Sequence, residues 1–378
     1  MIQRALQPRL EAVLFKGKVI ILYGARQVGK TTLIRAIEKK IFAADSLYLN
    51  CDEPDIRALL TDVTSTALKA LIGRKKIIFL DEAQRVKNIG ITLKLAVDNF
   101  PERQFVATGS SSLDLSNETN EPLTGRKYEF QLFPFSLAEL RQKYSKLELH
   151  RLLDNRIRLG MYPEIVEKTD EAQVLLKSLA SSYLYKDVLQ YQSLKRPELL
   201  EKLLAALALQ AGSEVSYNEL AGLLGVNKET VANYIQLLEK TFVIYRLSPF
   251  SRNLRSELTK LRKIYFYDTG IRNALINNFN ALQFRQDVGA LWENFMISER
   301  LKYNSNCGNS VNTYFWRTHQ QQEIDYLEEQ DGGLTAFEFK WKTGKKRVPQ
   351  LFTTTYPESR VEFIDRQNYG AFVGIEEE

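Results

Sequence analysis

An octapeptide near the start of the chain constrains its fold more than any other feature. Residues 24–31 read GARQVGKT and fit the pattern G-x-x-x-x-G-K-[ST]. The apolar segment VIILY (19–23) precedes the loop, and TTLIRAIEKKI (31–41) carries its apolar residues on one side, which predicts a helix. Strand, glycine-containing loop and helix in this order are typical of a loop whose backbone N–H groups bind phosphate.

The residue types of this loop suit a nucleoside triphosphate with its metal ion. Lys30 is expected to reach the β- and γ-phosphates, and the Thr31 hydroxyl is expected to bind Mg²⁺. We therefore predict a site for a nucleoside triphosphate and Mg²⁺, lined by Gly24, Ala25, Arg26, Gln27, Val28, Gly29, Lys30, Thr31 and Thr32. The alternative is a glycine-containing turn that fits the pattern by chance.

A second motif, IIFLDEAQ (77–84), supplies acidic side chains where an apolar strand ends. We expect Asp81 to hold the Mg²⁺ shell and Glu82 to polarise the attacking water. A further predicted strand, SLYLN (46–50), separates the two motifs in the chain. This extra strand favours the additional-strand branch of P-loop NTPases over small kinases and GTPases. The alternative is a strand that simply ends in two solvated acids.

Two further residues are candidates for catalysis. Ser110 follows the predicted strand QFVAT (104–108), where its hydroxyl could sense the γ-phosphate; a plain turn is the alternative. Arg126, beside Gly125, could supply positive charge to the transition state, either within the chain or in a neighbouring subunit. The second arrangement would require a homo-oligomer, whereas an exposed arginine beside a glycine turn is also common.

The order of predicted elements defines the fold class. Apolar strands alternate with helix-length segments over residues 19–132, which predicts an α/β fold with a mainly parallel sheet. A leucine-rich stretch from about 136 to 211 is helical in pattern. Because 378 residues exceed the usual size of a single core, several domains are expected. We predict an ATPase core (1–140), a helical lid (141–197), a winged-helix domain (198–270) and a nuclease-like α/β domain (271–378).

The winged-helix prediction depends on two helices joined by a tight turn. Ser216 begins a capping box, and Asn227 is placed to cap the second helix. Six basic residues and one acid lie between Arg246 and Lys263, in the expected wing. Candidate DNA contacts are Lys228, Thr230, Asn233, Arg252 and Arg255, with Tyr234 expected on the same outer face. Against DNA contact, Glu229 would repel phosphate, and such modules also serve as packing or protein-binding units.

A third group of charged residues lies near the end of the chain. Glu338 and Lys340 are two residues apart and therefore lie on the same face of a predicted strand. Asp325 lies on the strand before it, and Glu293 lies on a helix. Asp followed by Glu-x-Lys on the next strand is the arrangement of PD-(D/E)xK nucleases, in which carboxylates share Mg²⁺ and the lysine activates water. The alternatives are a solvated strand face, and a nuclease-like fold that only binds.

The motifs together resemble a known family over nearly the whole chain. GARQVGKTT, FLDEAQ, TGSSS, LTGR with QLFPFSLAEL, LGMYPEIV, YLYKDV, KIYFYDTGIRNAL and LWENFMISE are similar to bacterial and archaeal AAA-type ATPases that carry a C-terminal domain of unknown function. The resemblance implies an ATPase that uses ATP rather than GTP. It also implies a C-terminal domain similar to the nuclease fold.

Composition limits the remaining function classes. A net charge of +6 permits an anionic partner, and DNA is the partner that the predicted domains favour. The two cysteines, Cys51 and Cys307, lie far apart in the chain and supply no disulfide framework, and no apolar run approaches the roughly 18 residues of a membrane span. We expect a cytoplasmic ATPase that remodels or binds DNA. The alternatives are an ATP-controlled switch that binds a protein partner, and an ATP-gated nuclease.

Overall fold

The computed structural model describes residues 2–41, 44–110, 123–183, 196–250, 262–318, 320–342, 344 and 348–376. Apart from the first two residues, they divide into two compact units. The first unit comprises residues 3–134 with 240–242, and the second comprises 135–239 with 243–378. Within the described residues, no helix combines the length and the apolar character that crossing a membrane requires.

The first unit is built on a five-stranded parallel sheet. Its strands are β1 Val19–Tyr23, β2 Ser46–Asn50, β3 Ile77–Asp81, β4 Gln104–Gly109 and β5 Lys127–Gln131. Its helices are α1 Gln7–Glu11, α2 Lys30–Ile41, α3 Pro54–Leu60, α4 Ser65–Ile72 and α5 Ile89–Asn99. The strand order is β2–β3–β4–β1–β5, so β4 lies between the strands that end in the two sequence motifs. The predicted parallel α/β core is confirmed.

The burial of these strands explains their sequences. Every residue of β1, β3 and β4 is buried, because helices cover both faces of the sheet, and continuous apolar runs satisfy that environment. The edge strand β5 is only half-buried and accordingly carries Lys127 and Glu129. Since all five strands run the same way, the residues that follow β1, β3 and β4 meet at one edge of the sheet.

The second unit is built on a mixed seven-stranded sheet. Its strands are β6 Glu214–Val215, β7 Ile244–Pro249, β8 Arg262–Phe266, β9 Asn312–Arg317, β10 Glu323–Gln330, β11 Gly333–Phe339 and β12 Arg360–Ile364. The order is β12–β11–β10–β9–β7–β8–β6. The β7–β9 pair is parallel, with Ser248 opposite Tyr314, and it joins strands on either side of the predicted boundary at residue 270 into one sheet. The four-part domain division itself stays a prediction.

Helices surround this second sheet. They are α6 Leu137–Leu140, α7 Lys146–Leu159, α8 Pro163–Glu167, α9 Ala172–Ser178, α10 Pro197–Leu209, α11 Tyr217–Leu224, α12 Lys228–Lys240, α13 Thr269–Leu275, α14 Val288–Cys307, α15 Gln350–Thr355 and α16 Tyr369–Phe372. The longest helix, α14, buries Trp292, Phe295 and Met296 in the main hydrophobic cluster of the unit. This packing fixes Glu293, the residue between Trp292 and Asn294, against the sheet.

Candidate functional site

The loop between β1 and α2 has the conformation that its glycines allow. Gly24 has a φ of 156°, and a Cβ atom there would lie 2.3 Å from the carbonyl oxygen of Leu132. Gly29, at a φ of 97°, is likewise in a region that favours glycine. The buried Lys30 donates hydrogen bonds from Nζ to the carbonyl oxygens of Gly24 (2.8 Å) and Ala25 (2.9 Å). The Lys30 side chain therefore lies against the backbone of the loop that is predicted to bind phosphate.

Arg4, which the sequence analysis did not identify, binds the backbone of this loop from a segment near the start of the chain. The buried Arg4 donates from Nη1 to the carbonyl oxygen of Val28 (2.7 Å) and from Nη2 to that of Phe133 (2.6 Å). The two carbonyls belong to the loop between β1 and α2 and to the segment after β5. Arg4 thus fixes the loop backbone. No local sequence pattern around residue 4 predicts this role.

Three hydroxyl groups converge on the carboxylate of Asp81 at the end of β3. Thr31 Oγ1 donates to Asp81 Oδ2 at 2.8 Å, and the Tyr48 hydroxyl donates to the same oxygen at 2.5 Å. Thr108, on β4, donates to Oδ1. Burial and the hydrogen bond to Asp81 raise the pKa of Tyr48 well above its usual range, so the phenol remains a donor. Tyr48 and Thr108 are site residues that sequence reasoning missed.

Glu82 is held by both its backbone and its side chain. Its φ of 53° places it in the left-handed region, and its N–H donates to Thr108 Oγ1 at 3.0 Å. Its Oε2 accepts a hydrogen bond of 2.6 Å from Gln84 Nε2, which also donates to Ser110 Oγ at 3.1 Å. The carbonyl oxygen of the Gln84 amide is buried and has no hydrogen-bond partner among the described residues. One amide therefore links the predicted sensor, Ser110, to the predicted base, Glu82.

The residues at this edge fit a nucleotide with a magnesium ion. A hydroxyl and a carboxylate, from Thr31 and Asp81, are the hard oxygen ligands that Mg²⁺ prefers. The loop offers backbone N–H groups at the start of α2, and Lys30 adds a positive charge beside them. The donor set thus fits the phosphates of a nucleoside triphosphate and a Mg²⁺ ion.

Arg126 lies elsewhere in the first unit. Its carbonyl oxygen accepts from the N–H of Val19, the first residue of β1, so it stands at the sheet edge opposite the loop. Its Nε donates to Asp98 at 2.7 Å. Within one chain, the structure does not bring Arg126 together with Lys30 or Asp81. The action on a neighbouring subunit stays a prediction.

The second unit gathers the charged residues predicted near the end of the chain. Lys340 Nζ lies 2.9 Å from Glu338 Oε2, and Asp325 accepts a hydrogen bond of 2.9 Å from the N–H of Phe339. Asp325 also acts electrostatically on Glu293 and on Glu338. The sequence missed three further members of this group, Lys263, Tyr265 and Glu323. The Tyr265 hydroxyl donates to Glu293 Oε1 at 2.5 Å.

Burial dominates the electrostatics of this carboxylate cluster, which we define as Glu293, Glu323, Asp325 and Glu338. Burial, reinforced by the nearby Asp325 charge, raises the pKa of both Glu293 and Glu338 to about 7. Burial also raises the pKa of Asp325. Over the part of the chain that the structure describes, no three Asp, Glu, His or Cys side chains are placed so that they could hold a metal ion.

The candidate DNA contacts are only partly exposed on the structure. Lys228 and Asn233 are exposed on α12, whereas Thr230 is half-buried and donates from N and Oγ1 to Asn227. Asn227 thus caps α12, as predicted. Tyr234 is buried rather than on the outer face. Arg252 and Arg255 lie outside the described residues.

Two of the basic residues counted for the wing are engaged in ion pairs. Arg246 pairs with Glu239 at 2.6 Å and donates to the Tyr217 hydroxyl, and Lys263 is 2% exposed among carboxylates. Their charges are therefore balanced inside the unit. The basic character of the wing rests on fewer residues than the sequence suggested.

Comparisons with known proteins divide the chain into three regions. Residues 16–141 match a family model described as an AAA domain. Residues 150–282 match a domain of unknown function, DUF8612, and residues 288–367 match another, DUF4143. An uncharacterized protein of Mycobacterium tuberculosis is 29% identical over 337 residues, covering 88% of this chain and 72% of its own. An uncharacterized protein of Methanocaldococcus jannaschii is 27% identical over 338 residues, covering 84% and 74%.

Two solved structures show a distant likeness to this chain. The Drosophila ORC bound to AT-rich DNA and Cdc6 contains a chain with 12% identity and a TM-score of 0.28, covering 73% of this chain and 89% of that one. A Vibrio cholerae protein gives 10% identity and a TM-score of 0.17, covering 94% and 93%. Scores this low support no argument about fold or function. The family models are the informative result: residues 16–141 match an AAA domain, which implies nucleotide binding, and the two matches that follow are to domains of unknown function.

Proposed function

We propose that the protein is a Mg²⁺-dependent ATPase that couples its nucleotide state to DNA binding or remodelling. The observation that carries the ATPase part is the group of residues at one sheet edge. Thr31 is hydrogen-bonded to Asp81, and Lys30 is hydrogen-bonded to the backbone of the adjacent loop. Gln84 donates hydrogen bonds to both Glu82 and Ser110. The match to an AAA domain supports the same reaction.

The roles of these residues follow from their chemistry. Lys30 and the loop N–H groups would bind the phosphates, and Thr31 with Asp81 would hold Mg²⁺. The bound metal ion would neutralise charge on the phosphate oxygens. Glu82 is the residue that accepts a proton from the attacking water, and Ser110 is the residue that senses the γ-phosphate. Gln84 positions Glu82, because its amide fixes the carboxylate relative to the end of β4.

The order of elements in the second unit supports a winged-helix assignment. The chain runs α10, β6, α11, α12, β7 and β8, and these strands pair in the order β7–β8–β6. In such a module the second helix of the pair, here α12, enters the major groove of DNA. Lys228 and Asn233 are exposed on this helix. We propose that they contact DNA, together with Arg252 and Arg255.

Fluorescence anisotropy with labelled duplex DNA tests this part. The full chain should bind DNA with a strong salt dependence, and the affinity should differ between a non-hydrolysable ATP analogue and ADP. Lys228→Ala should weaken binding and lower the salt slope by about 1, the value for one lost phosphate contact. Lys202→Ala is the matched control, since Lys202 is an exposed lysine on another helix of the same unit, α10. Equal losses in the two variants would count against α12 as the DNA-binding helix.

A switch that binds a protein partner is the second candidate function. Leu209 and Leu223 are 69% and 67% exposed, at the end of α10 and on α11, where apolar side chains suit a protein contact. This function would leave the ATPase indifferent to DNA. Absence of DNA binding at low salt, with hydrolysis intact, would favour it.

An ATP-gated nuclease is the third candidate. The grouping of Asp325, Glu338 and Lys340 with helical Glu293 supports a nuclease-like fold for the last domain. Cleavage of DNA that requires Mg²⁺ and is lost in Glu338→Ala and Lys340→Ala would establish it.

A further inference from the structure

Lys263 lies inside the carboxylate cluster rather than on the surface. The residue is 2% exposed, on β8. Its Nζ atom lies 3.2 Å from Glu293 Oε1 and forms a second, shorter contact with Glu323. Asp325 adds a further electrostatic attraction, and the Phe315 ring centroid lies 5.5 Å away. One ammonium group is thus surrounded by acids from α14 and β10.

The cluster carries more negative than positive groups. Four acids, Glu293, Glu323, Asp325 and Glu338, face two lysines, Lys263 and Lys340, while Arg317 reaches Glu323 only at 3.7 Å. Glu338 is 7% exposed, and its Oε1 is buried without a hydrogen-bond partner among the described residues. An unpaired, buried carboxylate oxygen is costly, and a cation is the ligand that would satisfy it.

The two lysines that contact the cluster differ in exposure and in the number of carboxylates that they pair with. The Lys340 side chain is 44% exposed and pairs with one carboxylate, Glu338. Lys263 is enclosed and bridges two carboxylates on different elements. Two carboxylates that share one cation are the arrangement by which proteins bind small metal ions. The Lys263 ammonium therefore takes the position that such an ion would need.

We propose that the carboxylate cluster is a cation-binding site whose resident cation is the Lys263 ammonium, and that it accepts a divalent metal ion only when this ammonium is removed. In the described residues, no three Asp, Glu, His or Cys side chains are placed to hold a metal ion, which agrees with a resting site that holds the ammonium instead. The proposal implies that the resting protein performs no metal-dependent chemistry at this site. It does not depend on the ATPase proposal.

Metal binding to Lys263→Met tests the proposal. All proteins carry Asp81→Asn, so that the nucleotide site does not contribute, and all are full-length and free of nucleotide. Mn²⁺ is titrated by electron paramagnetic resonance and calorimetry, and the thermal midpoint is recorded in parallel. Lys263→Met should bind one Mn²⁺ at least about tenfold more tightly than the parent, and Mn²⁺ should raise its thermal midpoint.

The controls separate this site from loss of charge alone. Lys340→Met removes a lysine from the same cluster but leaves Lys263 in place, so it should gain no Mn²⁺ site. Adding Glu293→Gln to Lys263→Met should abolish the gained binding. If Lys263→Met fails to fold without metal, recovery of folding on addition of Mn²⁺ supports the proposal, and Lys263→Gln repeats the titration. Tight Mn²⁺ binding by the parent that depends on Glu338, or no Mn²⁺ binding and no recovery in either Lys263 variant, would overturn it.

Discussion

The hydroxyl of Thr31 donates a hydrogen bond of 2.8 Å to Oδ2 of Asp81, across 50 residues of sequence. The bond joins the first turn of α2 to the end of β3. The two meet because α2 follows β1, and β1 and β3 are parallel strands of one sheet. Thr108 and Tyr48 hold the same carboxylate from β4 and β2. The ligands proposed for Mg²⁺ are therefore set in place by the fold itself.

Thr31→Val should lower Mg²⁺-dependent ATP affinity by at least about 10- to 100-fold, because this is already the usual cost of removing a residue that only orients a metal ligand. Valine keeps the shape of threonine and removes only the hydroxyl. Thr66→Val is the matched control, since Thr66 is an exposed threonine on α4. Calorimetric titration of a non-hydrolysable analogue with and without Mg²⁺ measures the effect. Equal affinities for the two variants would contradict the assignment of Thr31.

Gln84→Leu should lower kcat by about 100-fold while ATP binding is unchanged, because a misplaced catalytic group costs rate rather than affinity. Leucine cannot hold the Glu82 carboxylate as the amide does at 2.6 Å. Steady-state kinetics separate kcat from KM. The loss should not add to that of Ser110→Ala, since Gln84 connects the two residues. Full additivity of the two substitutions, or a change in KM alone, would refute the positioning role.

Stability should depend on pH through the carboxylate cluster. The pKa of Glu338 is raised from 4.5 to about 7 by burial and by Asp325, so the folded state holds this proton more tightly than the unfolded state. The contribution is fully present below about pH 4.5 and is lost as the pH rises through 7. Glu338→Gln cannot titrate, and its free energy of unfolding should fall less between pH 5 and 8 than that of the wild type.

Urea unfolding at several pH values measures this difference, and Glu358→Gln, at an exposed glutamate, is the control. Part of the dependence should remain in Glu338→Gln, because the pKa of Glu293 is also raised to about 7. Parallel pH profiles for the wild type and Glu338→Gln would show that Glu338 titrates alike in the folded and unfolded states.

Local patterns predicted the elements of the parallel α/β core well. The phosphate loop, the acidic strand end at Asp81 and the cap at Asn227 each depend on residues close together in sequence. Tyr48 and Arg4 were missed because their contacts depend on strand order and on a chain segment more than 20 residues away. Arg126 could not be placed from spacing alone, since spacing does not say which edge of a sheet a residue reaches.

The second unit shows a different limit of sequence reasoning. Lys263 was counted among the basic residues of an exposed wing, although it begins the buried run KIYF (263–266) on β8. This apolar run was the sequence feature that could have indicated a buried position for Lys263. The parallel pairing of β7 with β9, which extends the sheet across the predicted domain boundary, involves residues that are far apart in sequence. No periodicity within either strand indicates this partner.

ATP hydrolysis by the wild type and Glu82→Gln, with and without single-stranded, duplex and forked DNA, tests the central claim most directly. We expect Mg²⁺-dependent turnover by the wild type, its loss in Glu82→Gln with nucleotide binding retained, and stimulation by at least one DNA. Turnover that survives in Glu82→Gln would contradict the catalytic assignment. Turnover that is indifferent to every DNA at low salt would contradict the coupling to DNA.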